Sequence, residues 1–306
     1  MSTTPSPRAH PMLTASFAGL VDDAAIFPPG DAPMPEAVRD HAAHLNAWYA
    51  PAVGAFVCSD ARLPELQRAL EETELPGSSP LRLNVTITGG AGAVEPALTW
   101  VRRDPRLALN AVEVALRDEA DLAHNAARMT TVLAQSLPDD VSAFVELPRL
   151  HGSSAPASWQ AALAEVAAAG HPIKLRTGGL EPDAFPTSAE LCTLISAALD
   201  QQLEFKCTAG LHFAVRHTAT DTGFEHHGFL NVLLATRALL DGADPAAVVA
   251  ELEERDPASV ADRVGGLGDD TVTSTRRWFR SVGSCSVAEP VGDLVRLGLL
   301  ADGAVA

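Results

Sequence analysis

IKLRTGG, residues 173–179, alternates apolar with cationic side chains and then stops at a pair of glycines. Alternation with a period of two is typical of a β-strand, because successive side chains point to opposite faces of the sheet. Ile173 and Leu175 therefore share one face, and Lys174 and Arg176 share the other. If the apolar face packs against helices, both cations point into the interior, where charges are rare unless they are paired or take part in chemistry.

A second stretch, FKCTAG at residues 205–210, has the same character, with an inward Lys206 and a glycine at its end. On adjacent strands, Lys174 and Lys206 are expected about 5 Å apart in the direction of pairing. Two ammonium groups at that distance, partly removed from water, favour the neutral amine of one of them. A neutral, desolvated lysine is the nucleophile that attacks a carbonyl to form a Schiff base.

Strands and helices alternate along the rest of the chain. The predicted strands are residues 19–27, 53–58, 81–88, 107–116, 141–147, 173–179, 205–210 and 281–286. The predicted helices are residues 34–49, 63–72, 94–103, 119–137, 156–169, 188–199, 229–240, 245–254, 271–279 and 291–300. Regular alternation indicates an α/β fold with a parallel sheet, and eight such units in 306 residues match the size of a (β/α)8 TIM barrel.

The alternative architecture is an open, doubly wound sheet, whose central strands are apolar on both faces. The inward faces of the third to seventh strands are polar here, which favours the barrel. We predict one barrel domain over residues 16–306, with an extended region of loop and helix after the seventh strand and a loop at residues 256–270. Residues 1–15, rich in Ser, Thr and Pro, are predicted to form a flexible arm.

Composition narrows the classes of partner. The chain has 22 basic and 39 acidic residues, a net charge of −17, which disfavours nucleic acid and anionic membrane surfaces. Four cysteines lie far apart in the sequence without a CxxC pair, which is typical of a reducing compartment. The sequence shows neither a signal peptide pattern nor a long apolar run. We therefore expect a cytoplasmic protein that binds a small-molecule substrate. The sequence leaves open whether the protein forms a homo-oligomer.

The inward faces of neighbouring strands carry an unusual set of charges. Glu113, Glu146, Lys174 and Lys206 are predicted to be catalytic, because active sites of this fold lie at the carboxyl ends of the strands. A glutamate in this set is expected to shuttle protons through water. Substrate contacts are predicted for Arg176, Asn84, Thr208, His212, Ser284 and Ser286.

Three motifs together resemble the deoxyribose-phosphate aldolase branch of the class I aldolases. They are KLRTG at residues 174–178, KCTAG at residues 206–210 and VGSCS at residues 282–286. The resemblance implies that Lys174 forms the Schiff base, that Lys206 lowers its pKa, and that Glu113 takes the place of a proton-relaying aspartate. It also implies a phosphate site at the serine-rich turn. Arg176 replaces a small residue of the family motif, which fits a different carbonyl or carboxylate substrate.

Two other functions remain open from the sequence. A metal-dependent lyase, isomerase or hydrolase would use Glu113, Glu146 and the histidines of residues 212–227, whereas a non-catalytic protein would hold an anion with its interior cations. We favour a lyase with neither metal nor cofactor. Either Asp22 or Asp23 is expected to face inward, toward Arg82, Arg176 or a substrate hydroxyl. Ser284 and Ser286 either cap the last helix or bind phosphate.

Overall fold

Eight parallel strands close into a barrel in the computed structural model, which describes residues 15–117 and 120–301. The barrel strands are β1 Val21–Asp23, β2 Val53–Ser59, β3 Leu81–Ile87, β4 Leu107–Ala115, β5 Ser142–Glu146, β6 Ile173–Arg176, β7 Phe205–Thr208 and β10 Phe279–Ser284. Each strand pairs with its neighbour in the chain, and β10 closes the ring between β7 and β1. The predicted (β/α)8 TIM barrel is confirmed, and the open sheet is excluded.

Helices surround the barrel and connect its strands. They are α1 Met34–Asn46, α2 Leu63–Ala69, α3 Val94–Arg102, α4 Leu122–Ser136, α5 Ala157–Ala168, α6 Ser188–Asp200, α7 Phe229–Leu240, α8 Pro245–Glu253, α9 Pro257–Arg276 and α10 Ala288–Arg296. Most begin and end within a few residues of the predicted bounds. No helix in the described part of the chain is both long enough and apolar enough to cross a membrane.

The region between β7 and β10 is longer than other connections, as predicted, but its content differs. Residues 257–276 form α9 where a loop was predicted over residues 256–270, so that prediction is wrong. The Asp256 side chain accepts a hydrogen bond from the Ala258 amide, and Val260 and Val264, one turn apart, are both buried. This apolar spacing outweighs the Gly- and Asp-rich composition, and the chain departs from helical geometry at Gly268.

The connection after β7 also contains a hairpin that periodicity did not reveal. Its two-residue strands, β8 His217–Thr218 and β9 Glu225–His226, pair antiparallel. The predicted arm at residues 1–15 lies outside the described residues except for Ala15, and so does the predicted start of the fourth helix at residue 119. In the structure that helix begins at Leu122, where the Asp121 side chain accepts a hydrogen bond from the His124 amide.

Strand register determines which side chains enter the barrel. Leu83 and Val85 belong to the hydrophobic core and are fully buried, and Lys174 stands directly beside Lys206 in the pairing of β6 with β7. Glu113 is aligned with Thr86 on one neighbouring strand and with Phe144 on the other. Core residues line the outer face of the strands, and a polar set lines the inner face.

Candidate active site

The inward-facing charges of five strands form one continuous network inside the barrel. Lys174 Nζ lies 2.9 Å from Glu146 Oε2 and 3.2 Å from Glu113 Oε2. Lys206 Nζ lies 2.7 Å from Glu113 Oε1 and 2.6 Å from Asp22 Oδ2. Cations and carboxylates therefore alternate in what we call the central network: Arg176, Glu146, Lys174, Glu113, Lys206 and Asp22.

Glu113 bridges the two lysines, and this changes the expected electrostatics. The sequence predicted two amines facing each other, but a carboxylate lies between them and offsets their repulsion. Burial alone would lower the pKa of Lys206, yet Asp22 and Glu113 outweigh it and raise that pKa above its usual value. Lys206 is therefore an ammonium at neutral pH, with only 1% of its surface exposed.

The carboxylates of the network are held in their ionised form. Burial alone would raise the pKa of Glu113, but Lys206 and Lys174 lower it to about 2. Burial alone would also raise the pKa of Glu146, but Lys174 and Arg176 outweigh it and hold that pKa below its usual value. The network is neutral overall because each buried charge has an opposite charge beside it, which is the condition for keeping ions inside a protein.

Lys206 is further enclosed by a network of residues on four other strands. Its ammonium group lies 5.5 Å from the centre of the Phe144 ring. Its partner Asp22 accepts hydrogen bonds from the Ser281 hydroxyl at 2.7 Å and from the Ala55 amide at 2.9 Å. These contacts hold the Asp22 carboxylate in place, and the Lys206 ammonium group is shielded from solvent.

Lys174 differs from Lys206 because it lines an open space. A cavity of about 200 Å³, here the C-terminal cavity, is bordered by ten apolar residues, some of them from the helical layer, and by the charged side chains of Lys174, Glu146, Arg176 and Arg149. It lies near the end of β5 and β6, two strands that share a single aligned pair, Val145 with Ile173. Residues Ala184 and Pro186 from the connection to α6 complete this side.

The C-terminal cavity offers two guanidinium groups to a ligand. Arg176 donates to both oxygens of Glu146, at 2.7 and 3.4 Å, and its side chain remains 48% exposed. Arg149 donates to the carbonyl of Phe185 and lies 3.5 Å from a Glu190 carboxylate oxygen, but its buried Nε has no hydrogen-bond partner. A buried donor without a partner is costly, and an anion in the cavity would satisfy it.

The ends of β6 and β7 approach each other closely, and glycine is required there. A Cβ on Gly178 would lie 3.0 Å from the Gly210 Cα and 2.7 Å from the Phe185 ring. Gly210 also has a φ of 75°, in the left-handed region that favours glycine. The Thr177 hydroxyl donates to the carbonyls of Thr208 and Ala209 across the same gap. The glycines that end both motifs therefore allow two strand ends to meet beside the central network.

Of the predicted substrate-binding residues, Arg176 and Thr208 are aligned neighbours on β6 and β7. Asn84 does not join them. It is aligned with Ala111, two residues before Glu113, and it accepts a hydrogen bond from Asn110 at 2.7 Å. Alternation along a strand identifies the inward face but not the depth, and Asn84 lies on the amino-terminal side of the network.

His212, Ser284 and Ser286 form a separate group at the start of α10. His212 Nδ1 lies 3.0 Å from Glu289 and 3.5 Å from the Ser284 hydroxyl. The Ser286 hydroxyl accepts a hydrogen bond from the Glu289 amide in the first turn of α10, and Val287 stands at the cap position. Neither serine is the cap residue of α10, and the Glu289 carboxylate in its first turn opposes a phosphate there.

Two residues of the site were missed or left ambiguous. Asp22 faces inward and Asp23 faces α1, where it contacts His41 at 2.9 Å; neither pairs with Arg82 or Arg176. Arg149 follows β5 and gave no signal in the sequence. One overlooked signal was composition, because Lys174 and Lys206 are the only lysines in the chain and all other basic residues are arginines.

The histidines of the β7 connection do not converge on the glutamates. His226 Nδ1 contacts the carbonyl of Gly210, and His227 contacts Arg216 and the carbonyl of Pro186. Within residues 15–117 and 120–301, no group of three or more His, Cys, Asp or Glu side chains is arranged to hold a metal ion. The donor set required by the metal-dependent hypothesis is therefore not assembled among these residues.

The sequence matches no family model and no curated protein.

Proposed function

We propose that this protein is a lyase that forms a Schiff base between Lys174 and a small carbonyl compound bearing a carboxylate. The observation that carries the proposal is the position of Lys174, inside the barrel between Glu113 and Glu146 and on the wall of the C-terminal cavity. Lysine is the one cationic side chain that forms imines, and the chain keeps lysine at only two positions while using arginine elsewhere.

The substrate class follows from the lining of the C-terminal cavity. Arg176 and Arg149 present planar guanidinium groups, which bind carboxylates in a bidentate manner. A volume of about 200 Å³ is smaller than the roughly 300–1,000 Å³ of typical ligand pockets, which favours a compact molecule. A short 2-oxo acid meets both requirements, because its carbonyl is adjacent to its carboxylate.

Glu146 is the proposed proton carrier. Attack on a carbonyl needs a neutral amine, and Glu146 Oε2 is the closest carboxylate oxygen to Lys174 Nζ. A substrate carboxylate that engages Arg176 would draw this cation from Glu146 and make Glu146 a stronger base. The amine then adds to the carbonyl carbon, and Glu146 returns the proton as the carbinolamine loses water. The resulting iminium withdraws electrons when an adjacent C–C bond breaks or forms.

Glu113 and Lys206 have a supporting role in this scheme. Lys206 holds Glu113 ionised, and Glu113 in turn positions the Lys174 amine at 3.2 Å. Because the pKa of Glu113 is about 2, it is a poor proton acceptor at neutral pH, and this favours Glu146 for proton transfer.

Reductive trapping tests the proposal. The protein is incubated with pyruvate, glyoxylate or acetaldehyde and then with sodium borohydride, and the intact mass and peptide map are measured. We expect a reduced adduct on Lys174 with at least one 2-oxo acid. Lys174→Arg keeps a cation beside both glutamates and should give no adduct. Arg128→Lys places a lysine on the exposed face of α4, and it reports non-specific labelling.

The alternative of a non-catalytic anion-binding protein is supported by the ion pairing of both lysines. This alternative predicts that a 2-oxo acid raises the melting temperature but leaves every lysine unmodified after borohydride. Absence of an adduct on Lys174, or labelling no greater than that of the lysine introduced in Arg128→Lys, would contradict Schiff-base chemistry.

A further inference from the structure

A larger cavity opens at the opposite end of the barrel. It has a volume of about 620 Å³, and residues at or near the starts of the strands border it, among them Gly19, Val53, Arg82, Ser142 and Arg280. We call it the N-terminal cavity. The cavity is open to solvent, and its volume falls within the roughly 300–1,000 Å³ of typical ligand pockets.

Small side chains leave this space unfilled. Gly54 and Ala111 lie on the cavity wall where larger residues would fill the base of a barrel. A larger residue does not fit at position 54, because a Cβ on Gly54 would lie 2.3 Å from Asp22 Oδ1. The remaining wall mixes apolar residues with polar groups, among them the amides of Asn84 and Asn110. A cavity with such a wall suits a polar occupant.

Four arginines line the N-terminal cavity, although the chain has a net charge of −17. Arg280 pairs with Glu204 at 3.2 Å. Eleven described arginines have a carboxylate within ion-pair distance; among the described arginines without one, Arg82, Arg276 and Arg277 stand together on the wall of this cavity. Three neighbouring cations without counter-charges in an acidic protein indicate a place for an external anion.

Arg276 gives the most specific sign of a missing partner. Its terminal nitrogens donate to the carbonyls of Phe279 and Ala18, and its buried Nε has no hydrogen-bond partner. Burial, together with the charge of Arg280, lowers the pKa of Arg276 to about 10. A negative charge in the cavity would offset both effects.

We propose that the N-terminal cavity binds a compact multivalent anion, with the charged oxygens shared by phosphate esters and polycarboxylates, through Arg82, Arg276 and Arg277. The carboxylates on the wall leave this cationic character in place. Asp22 is neutralised by Lys206 and Glu204 by Arg280, so Asp140 is the one remaining acidic group on the cavity wall. This proposal does not depend on Schiff-base chemistry at Lys174.

Titration calorimetry on the full-length protein tests the proposal, with inorganic pyrophosphate and citrate as the two probes. We expect one saturable site for at least one probe, and the better probe identifies phosphate or carboxylate chemistry. The exposed pair Arg82→Gln and Arg277→Gln, combined, should weaken binding at least tenfold. Arg39→Gln with Arg128→Gln removes the same charge from exposed helix positions and should leave the affinity unchanged.

Arg149→Gln separates the two cavities, because it removes a cation from the C-terminal cavity alone. Binding of the probe should survive this change. The proposal is overturned if neither probe saturates at millimolar concentration, or if the Arg39 and Arg128 control weakens binding equally. It is also overturned if Arg149→Gln abolishes a binding event that the Arg82 and Arg277 changes leave intact.

Discussion

Replacing Lys206 by methionine should reverse the way in which the stability of this protein depends on pH. Methionine has a similar length but no charge, so the change removes the cation that lies 2.7 Å from Glu113 and 2.6 Å from Asp22. Both carboxylates stay buried, Asp22 keeps its hydrogen bonds from Ser281 and Ala55, and Glu113 keeps only Lys174 as an ion-pair partner.

The magnitude can be worked out in two ways. Removing one partner of a buried ion pair costs about 3–5 kcal/mol, because the other charge is left uncompensated. The second way uses Glu113: against the opposing effect of burial, Lys206 and Lys174 together lower its pKa from 4.5 to about 2, a difference worth roughly 3 kcal/mol that the two lysines share. An unfolding entropy of about 2.1 cal/mol/K per residue then converts 3–5 kcal/mol into a melting-temperature drop of roughly 5–8 °C.

The sign of the pH effect separates this cause from simple loss of packing. In the variant, the pKa of buried Glu113 should lie above 4.5, so the protonated form stabilises the fold at low pH and stability is lost as pH rises through that pKa. Urea unfolding at pH 5 and pH 8 measures this, with Arg128→Met as the exposed control. A loss below about 1 kcal/mol at pH 8, or equal losses at both pH values, would refute the ion-pair account.

Three further predictions concern other parts of the structure. In the wild-type protein the contribution of Glu113 is present above pH 4.5 and is lost as pH falls toward 2, and Glu113→Gln should remove this part of the acid dependence in stepped-pH urea unfolding. Gly54→Ala should cost about 1–3 kcal/mol or more in thermal unfolding because its Cβ meets Asp22, whereas Gly92→Ala, with nothing within 4 Å, should change stability by less than about 0.5 kcal/mol. Burial lowers the pKa of His227 to about 4, so nitrogen NMR should show a neutral ring with its proton on Nε2 at pH 6; a cationic ring there would be contrary to the packing described.

The barrel could be predicted from the sequence because its signal is repeated. Strands β3 to β7 combine an outward apolar face with an inward face that carries polar residues, and helices separate the strands. Two features of the connection between β7 and β10, the first part of helix α9 and the β8–β9 hairpin, were not predicted from the sequence. Helix α9 carries its aspartates on the exposed side while Val260 and Val264 pack into the core, and the β8–β9 hairpin is too short to show a period.

The charges of the site could be predicted in part. Alternation along the strands placed Lys174, Arg176 and Lys206 on the inner face, and the pairing of β6 with β7 set the lysines side by side. Which carboxylate meets which lysine depends on barrel closure, which brings Asp22 to Lys206 across 184 residues of sequence. No local pattern encodes such a contact, and for the same reason the bridging position of Glu113 was not foreseen.

The position of an inward-facing residue along the barrel axis could not be predicted from the sequence either. Asn84 and Glu113 both point inward, yet Asn84 borders the N-terminal cavity and Glu113 lies in the central network. Depth depends on the stagger between neighbouring strands, and register shifts occur in the pairing of β3 with β4 and of β10 with β7. These irregularities have no signature in the amino-acid order.

Side-chain nitrogen NMR of lysine tests the central network most directly, because only Lys174 and Lys206 contribute signals. With protein carrying nitrogen-15 in lysine, we predict two ammonium resonances whose protons exchange slowly with water, and Lys174→Arg assigns them. The Lys206 signal should still be that of an ammonium at pH 10.5, the usual pKa of the side chain. Rapid exchange of both signals with solvent, or a neutral Lys206 amine below pH 10.5, would contradict a buried lysine pair bridged by Glu113.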